Sequence, residues 1–257
     1  MPKNTVHRQE LLRFLDDLLD TQDGAKDYCP NGLQVEGKEE IAKLVTGVSA
    51  CLELSQRAAG VDADAILVHH GILWHGAPLP ITGIQYRRVA SLIRHDINLF
   101  AYHLPLDRHP EVGNNALAAR EFGLLDTESF GEAKGQPVGV MGHFAEPVSP
   151  EQLVHRALKI FGQEPQLFGT GPDEVRTLGL ISGAAQGELH TAIGLGLDAF
   201  LTGEISEWVM NVAREAGIHY LAAGHYATER LGVQTLGQRV AERFGIEVEF
   251  IDIPNPV

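Results

Sequence analysis

Apolar residues at Leu11, Leu12, Leu15, Leu18 and Leu19 recur at helical spacing, with Phe14 beside the stripe. They predict an amphipathic helix over 6–19. A turn-rich segment follows over 21–37 and contains Tyr28-Cys29-Pro30-Asn31-Gly32. Beyond it, short apolar runs alternate with helical stretches. Strands are expected at 43–50, 65–68 and 98–102, and helices at 52–59, 86–94 and 114–122, the last capped by Asn114. A loop rich in glycine and proline fills 71–83. The same order returns later, with strands at 177–181, 199–202, 220–223 and 247–252 and helices at 188–193, 207–214 and 227–243. Strand–helix alternation of this kind predicts an α/β fold with mostly parallel sheets.

The two series match beyond simple alternation. Asp64-Ala65-Ile66-Leu67-Val68-His69-His70 aligns with Asp198-Ala199-Phe200-Leu201-Thr202-Gly203-Glu204, an offset of 134 positions from 64 to 198. His103-x-x-x-Asp107 aligns with His225-x-x-x-Glu229 at an offset of 122 from 103 to 225. The extra residues in the first series correspond to the loop at 71–83. We therefore expect two similar, pseudo-symmetric α/β domains facing each other, with a metal site in the cleft between them. Their junction is expected in 131–142, where five residues are glycine or proline. This gives domains 1–130 and 131–257, with the C-terminal helix and strand free to pack on either.

Bulk composition narrows the picture without naming a function. At 257 residues, 44% of them apolar, the chain suffices for one large or two small domains. The formal net charge of -14 argues against nucleic acid as a general partner, because phosphate binding needs clustered Lys and Arg. The two cysteines, Cys29 and Cys51, have no zinc-ligand spacing and imply no disulfide framework, which fits a reducing compartment. Cys51 opens the helix at 52–59. No stretch is long and apolar enough to span a membrane, and the first residues lack an apolar signal core, so a cytoplasmic location is expected.

Chemistry enters at the strand ends. Histidines and carboxylates follow three apolar runs, in His69-His70-Gly71, in His103 through Asp107, and in His225 through Glu229. In parallel α/β sheets ligands bind beyond the carboxyl ends of strands. Imidazole and carboxylate without thiolate form a ligand set for Zn, Mn, Fe, Co or Ni. Five candidate ligands, His69, His70, Asp107, His225 and Glu229, exceed what one catalytic zinc requires, so two ions are expected. Adjacent strand residues point to opposite faces, and the turn at Gly71 lets His69 and His70 each approach an ion. Pro105 is expected to hold Asp107 in an extended turn, off any helical face shared with His103. His225 and Glu229 share a face if a helix begins at His225. His103 is a candidate for supporting the ligands from behind or for facing the substrate, and Glu204 for acid–base work or for positioning water; His75 is a weaker candidate for entering the cleft. The other histidines read as surface or packing residues. Neither a phosphate-binding glycine loop nor a Gly-x-Ser-x-Gly elbow occurs.

These residues resemble a known family. Asn31-Gly32-Leu33-Gln34-Val35-Glu36-Gly37, His69-His70-Gly71 with Trp74, Tyr102-His103 through Asp107, Thr202-Gly203-Glu204 and Gly224-His225 through Glu229 are similar to the motifs of the GTP cyclohydrolase 1 type 2 homolog family, also termed Nif-three-like or YbgI-like. The resemblance covers nearly the whole chain, in the compact form without a mid-chain insertion. It places the family's dinuclear ligands on His69, His70, Asp107, His225 and Glu229. It also implies two similar α/β domains and a toroidal homohexamer, a trimer of dimers. Leu104-Pro105 departs from the family, whose members often carry a threonine there.

The expected function is hydrolysis by metal-activated water of a nucleotide-like or cyclic amide substrate, with two divalent ions per chain (Zn, Mn or Fe) and a proton carried by His103 or Glu204. The alternative is a metal-binding hexameric scaffold without catalysis. Iron would open a third possibility, redox chemistry.

Overall fold

Two sheets organise the chain, and each is backed by its own helices. The computed structural model describes residues 4–21 and 26–257. Residues 1–3 and 22–25, which include the extreme N-terminus and part of the expected turn-rich segment, lie outside the described residues. The chain divides into two compact units, residues 1–106 with 232–253 and residues 107–231 with 254–257.

The first unit opens with β1 (Val6–His7), α1 (Arg8–Leu18), β2 (Gly32–Val35) and β3 (Glu40–Ile41). The repeating core follows as β4 (Lys43–Ser49), α2 (Leu52–Gly60), β5 (Ala65–His70), α3 (Gly83–Arg94) and β6 (Asn98–Ala101). The helix expected from residue 6 starts at Arg8, because Val6 and His7 pair with Ile41 and Glu40. The His7 side chain then accepts from Gln9 N as the cap. Cys51 caps α2 in the same way, accepting from Leu54 N. In β5, Ile66, Leu67 and Val68 are fully buried, as expected of a central parallel strand covered on both faces.

The second unit begins within α4 (Leu104–Arg108) and continues as α5 (Asn114–Phe122), β7 (Leu125–Ala133), β8 (Gln136–Val148), α6 (Pro150–Phe161) and β9 (Gln166–Gly169). Its parallel core is β10 (Val175–Leu180), α7 (Leu189–Gly194), β11 (Ala199–Thr202), α8 (Val209–Ala216) and β12 (His219–Ala222), followed by the single turn α9 (His225–Thr228). The glycine- and proline-rich stretch 131–142, expected to join two domains, instead forms the tip and second arm of the β7–β8 hairpin within this unit. Glycine and proline mark turns equally well inside a domain and between domains. The passage between units falls earlier, at Leu106–Asp107. Finally α10 (Arg230–Phe244) and β13 (Glu247–Phe250) return to the first unit, where β13 pairs in parallel with β4.

The sheet orders reveal the repeat. The first sheet runs β13-β4-β5-β6-β2 and the second β7-β8-β10-β11-β12-β9. In each, three central strands are parallel, and an antiparallel strand from earlier in the chain covers the third: β2 on β6, and β9 on β12. Sequence periodicity missed β2 and β9, which are four-residue edge strands too short to show a period. It also missed α6, although Ser149 and Gln152 form a capping box around Pro150.

Asp64 and Asp198, matched by the 134-residue offset, perform the same local task. Asp64 accepts from the N–H groups of Ala42 and Lys43 at 2.9 and 3.0 Å, where β4 starts. Asp198 accepts from those of Arg176 and Thr177 at 2.8 and 2.9 Å, near the start of β10. Their carbonyls accept from Asn98 N and His219 N, each at 3.0 Å, at the start of the third strand. The α/β reading with two sheet-containing halves therefore holds down to single hydrogen bonds.

Candidate metal centre

In the first unit the chemistry gathers at the carboxyl ends of β4, β5 and β6. His69 is fully buried and His70 half-buried, as alternation on a strand requires. Their rings nonetheless stand 4.6 Å apart between centroids, because the chain turns at Gly71. His69 Nδ1 bonds the carbonyl of Tyr102 at 3.0 Å, so it carries the proton and Nε2 carries the lone pair. His70 Nδ1 lies 3.0 Å from Ser49 Oγ, across the β4–β5 register. His103 follows β6, and its Nδ1 lies 2.6 Å from Asp27 Oδ1. Ligand atoms of His69, His70 and His103 all lie within 4.8 Å of one another. The half-exposed Trp74 and Tyr28 flank this group, with ring centroids 5.4 and 6.0 Å from that of His103. His75 is exposed, outside this cluster.

The second unit places its groups at the corresponding strand ends. His225 starts α9, and Glu229 ends it, so the four-residue spacing brings His225 Nε2 to 3.2 Å from Glu229 Oε1. The same imidazole presents Nδ1 to Glu204 Oε1 at 2.6 Å. Glu204 lies just beyond β11, and the Tyr220 hydroxyl donates to its carbonyl. Burial works against charge on His225, but Glu229 and Glu204 overcome it and raise its pKa to about 9. Asp107 is buried, and its Oδ1 accepts from Asn114 Nδ2 at 2.8 Å and from Ser182 Oγ at 3.0 Å.

Local structure corrects two expectations. Asp107 is not in an extended turn: residues Leu104–Arg108 form the short helix α4. Proline is tolerated in a first helical turn, where its missing N–H has no intrahelical acceptor. Asn114 does not cap α5; Gly113 occupies that position without a side-chain bond, and the Asn114 amide is turned to Asp107 instead.

Three residues of the site had no chemical signal in the sequence: Asp27, Ser182 and Gly183. Gly183 has φ +68°, and a Cβ there would collide with Glu229 Oε1 and stand 3.2 Å from His225 Nε2. Its N–H donates to Thr228 Oγ1 at 3.0 Å, and its carbonyl accepts from Thr202 Oγ1 at 3.0 Å. Repetition offered the only hint, since the loop after β10 corresponds to the one after β4.

The donor set fits a divalent transition metal. Zn–N and Zn–O bonds of about 2.0–2.2 Å place two ligands of one tetrahedral ion roughly 3.4 Å apart. The 3.2 Å separation of His225 Nε2 and Glu229 Oε1 is close to that spacing. Metal-bound histidines characteristically give their other nitrogen to a carboxylate or carbonyl, as His69, His103 and His225 do here.

Comparison with known proteins agrees with this architecture. The model of the family described as Duf34/NIF3 (NGG1p interacting factor 3) matches residues 6–256. The chain belongs to the Duf34/NIF3 family. It is 47% identical over 236 residues to the GTP cyclohydrolase 1 type 2 homolog of Vibrio cholerae serotype O1, covering 90% of this chain and 92% of that relative. Among solved Duf34/NIF3-like structures, protein ybgI, described as of unknown function, is 41% identical with a TM-score of 0.92, covering 98% of this chain and 100% of ybgI. TTHA1606 from Thermus thermophilus is 38% identical with a TM-score of 0.89 and the same coverage. The Duf34/NIF3 fold thus accounts for nearly the full length.

Proposed function

We propose that this Duf34/NIF3 chain is a metal-dependent hydrolase holding two divalent ions, Zn, Mn or Fe, through His69, His70, Asp107, His225 and Glu229. The observation carrying this reading is the state of the imidazoles. Nδ1 of His69 and of His225 faces an acceptor, Tyr102 O and Glu204, which leaves Nε2 to a metal, and His70 Nδ1 lies 3.0 Å from Ser49 Oγ. When bound, such ions supply Lewis acidity that lowers the pKa of water and polarises a scissile group. Asp107 and Glu229 contribute the negative charge that offsets the cations. Asn114 and Ser182 hold Asp107 in place, and Glu204 would hold the Nδ1–H of His225 while a metal takes the place of the proton on Nε2. The names of the relatives support a nucleotide-like or cyclic amide substrate.

The same reading makes the protein a cytoplasmic homohexamer, a trimer of dimers around a toroid. Among the described residues no helix is long and apolar enough to cross a membrane. The exposed apolar side chains of Leu79, Ile81 and Ile84 are surface that self-assembly would cover.

Metal content of the purified protein tests the reading first. We expect about two ions per chain, reduced in His70→Ala and in Glu229→Ala, and hydrolysis by the loaded protein in a screen of GTP, phosphoesters, amides and cyclic amides. Full metal content in both variants would overturn the ligand assignment. A loaded protein inactive throughout the screen would leave the scaffold reading.

A further inference from the structure

The connection from β5 to α3 breaks the internal repeat. It spans 71–82, whereas the matching connection from β11 to α8 spans only 203–208. The second unit shows that the sheet and helices do not need the extra length. From residue 71 to 86 there is no Asp, Glu, Lys or Arg, although 21% of the chain is charged. Residues 73–82 are nevertheless exposed. With α3 they enclose a cavity of about 530 Å³, lined by Ile72, Leu73, Trp74, Pro78, Leu79 and Val89 among others. We infer that this cavity is a specificity pocket beside the metal centre and takes an uncharged apolar group, such as an aryl ring, carried by the substrate. This rests on the hydrolase reading above and narrows its substrate class to an apolar-substituted cyclic amide rather than a nucleoside triphosphate.

Three observations support the assignment. First, the size and chemistry fit. The volume falls within the roughly 300–1,000 Å³ of small-molecule pockets. No cationic side chain lines it to meet a phosphate, and the amide of Gln85 is tied to Ile72 O at 3.1 Å. Second, the cavity is continuous with the histidines of the first unit through Trp74, the wall they share. The indole centroid is 5.8 Å from that of His70 and 5.4 Å from that of His103. Trp74 Nε1 donates to Gly71 O at 3.1 Å, so the ring offers apolar surface rather than a free donor. Third, the loop is fixed in advance. Gln34 Oε1 accepts from Ile72 N and Leu73 N at 2.9 and 3.3 Å, and Gln34 Nε2 donates to Pro30 O at 2.8 Å. His75 N donates to Tyr28 O at 2.8 Å. Gly71 leaves room for this amide, since a Cβ there would strike Gln34. A wall ordered before the ligand arrives costs less to bind against.

A second copy of the chain is the rival occupant. Self-assembly accounts for the rim, where Leu79 is 94% exposed, but not for a floor that reaches Ile72 at 5%. The absence of charge throughout the lining and the contact of Trp74 with His70 favour the substrate.

The test titrates the full chain, metal-free and zinc-loaded, with the uncharged fluorescent probe N-phenyl-1-naphthylamine, using circular dichroism and light scattering as controls. The wild type is expected to bind one probe per chain in both states. 5-Benzylhydantoin is expected to displace it about tenfold more effectively than hydantoin, and GTP not at all. Ala77→Phe, which fills the cavity from a residue lining it, is expected to lower probe affinity about tenfold with zinc content and mass unchanged. If that variant does not fold, Leu73→Gln is expected to give the same loss. The proposal is overturned if the wild type shows no saturable site, if the folded variants bind as well as the wild type, or if GTP displaces the probe as well as 5-benzylhydantoin does. Uptake only by Leu79→Asp combined with Ile84→Asp would assign the cavity to a second copy and overturn it too. If the probe behaves as expected but the protein holds no zinc, the hydrolase reading falls while the apolar pocket stands.

Discussion

At the scale of single residues, Gly183 shows how closely backbone and the His225–Glu229 pair are fitted. It needs both a left-handed φ and the absence of a Cβ, because Glu229 and His225 occupy that space. Gly183→Ala is expected to cost roughly 1–3 kcal/mol of stability and to lower zinc affinity about tenfold, read by urea unfolding and chelator competition. Asp64 is the second case. Burial opposes its charge, but Lys38 and the N–H groups of Ala42 and Lys43 hold its carboxyl below the ordinary value. Its folded pKa is therefore below its unfolded pKa of about 3.9, and its contribution is complete above that pH and lost as pH falls through the folded value. Asp64→Asn should cost about 1–3 kcal/mol at pH 7, with a gap from wild type that narrows in urea titrations at pH 3. A gap independent of pH would show that the charge is not what matters. Neither residue was readable as functional in the sequence. Glycine and aspartate are common loop residues, and only their neighbours in space distinguish these two.

Elements carry their own lessons. The run 227–243 reads as one helix by periodicity, yet it breaks at Glu229, whose φ of -108° and ψ of 8° end α9 before α10 begins. That break ends the turn on the carboxylate that faces His225. The segment Leu104–Arg108 went the other way, helical where proline suggested an extended turn. In both places apolar spacing is too local to place a boundary. The capping box of α6, by contrast, is fully written in Ser149-Pro150-Glu151-Gln152. Ser149→Ala is expected to cost about 1 kcal/mol by removing the cap on Gln152 N, with metal content per chain unchanged. A concurrent loss of metal would show that α6 influences the ligands of its unit.

For the molecule as a whole, assembly is the testable property. Light scattering after size exclusion should give a hexameric mass for the wild type. It should give a smaller species for Leu79→Asp combined with Ile84→Asp, since both side chains are exposed and apolar. A monomeric wild type would end the toroid reading. The sequence by itself determined the parallel strands, the internal repeat and the gathering of histidines and carboxylates at strand ends, because period, offset and strand-end placement are all local properties of the chain. Tertiary structure alone decided which nitrogen each imidazole presents, since those partners are remote: Asp27 reaches His103 across 76 positions, and Tyr102 reaches His69 across 33. It also decided that β13 returns to β4 and that β2 and β9 close their sheets, because strand pairing is chosen by hydrogen-bond partners far away in sequence.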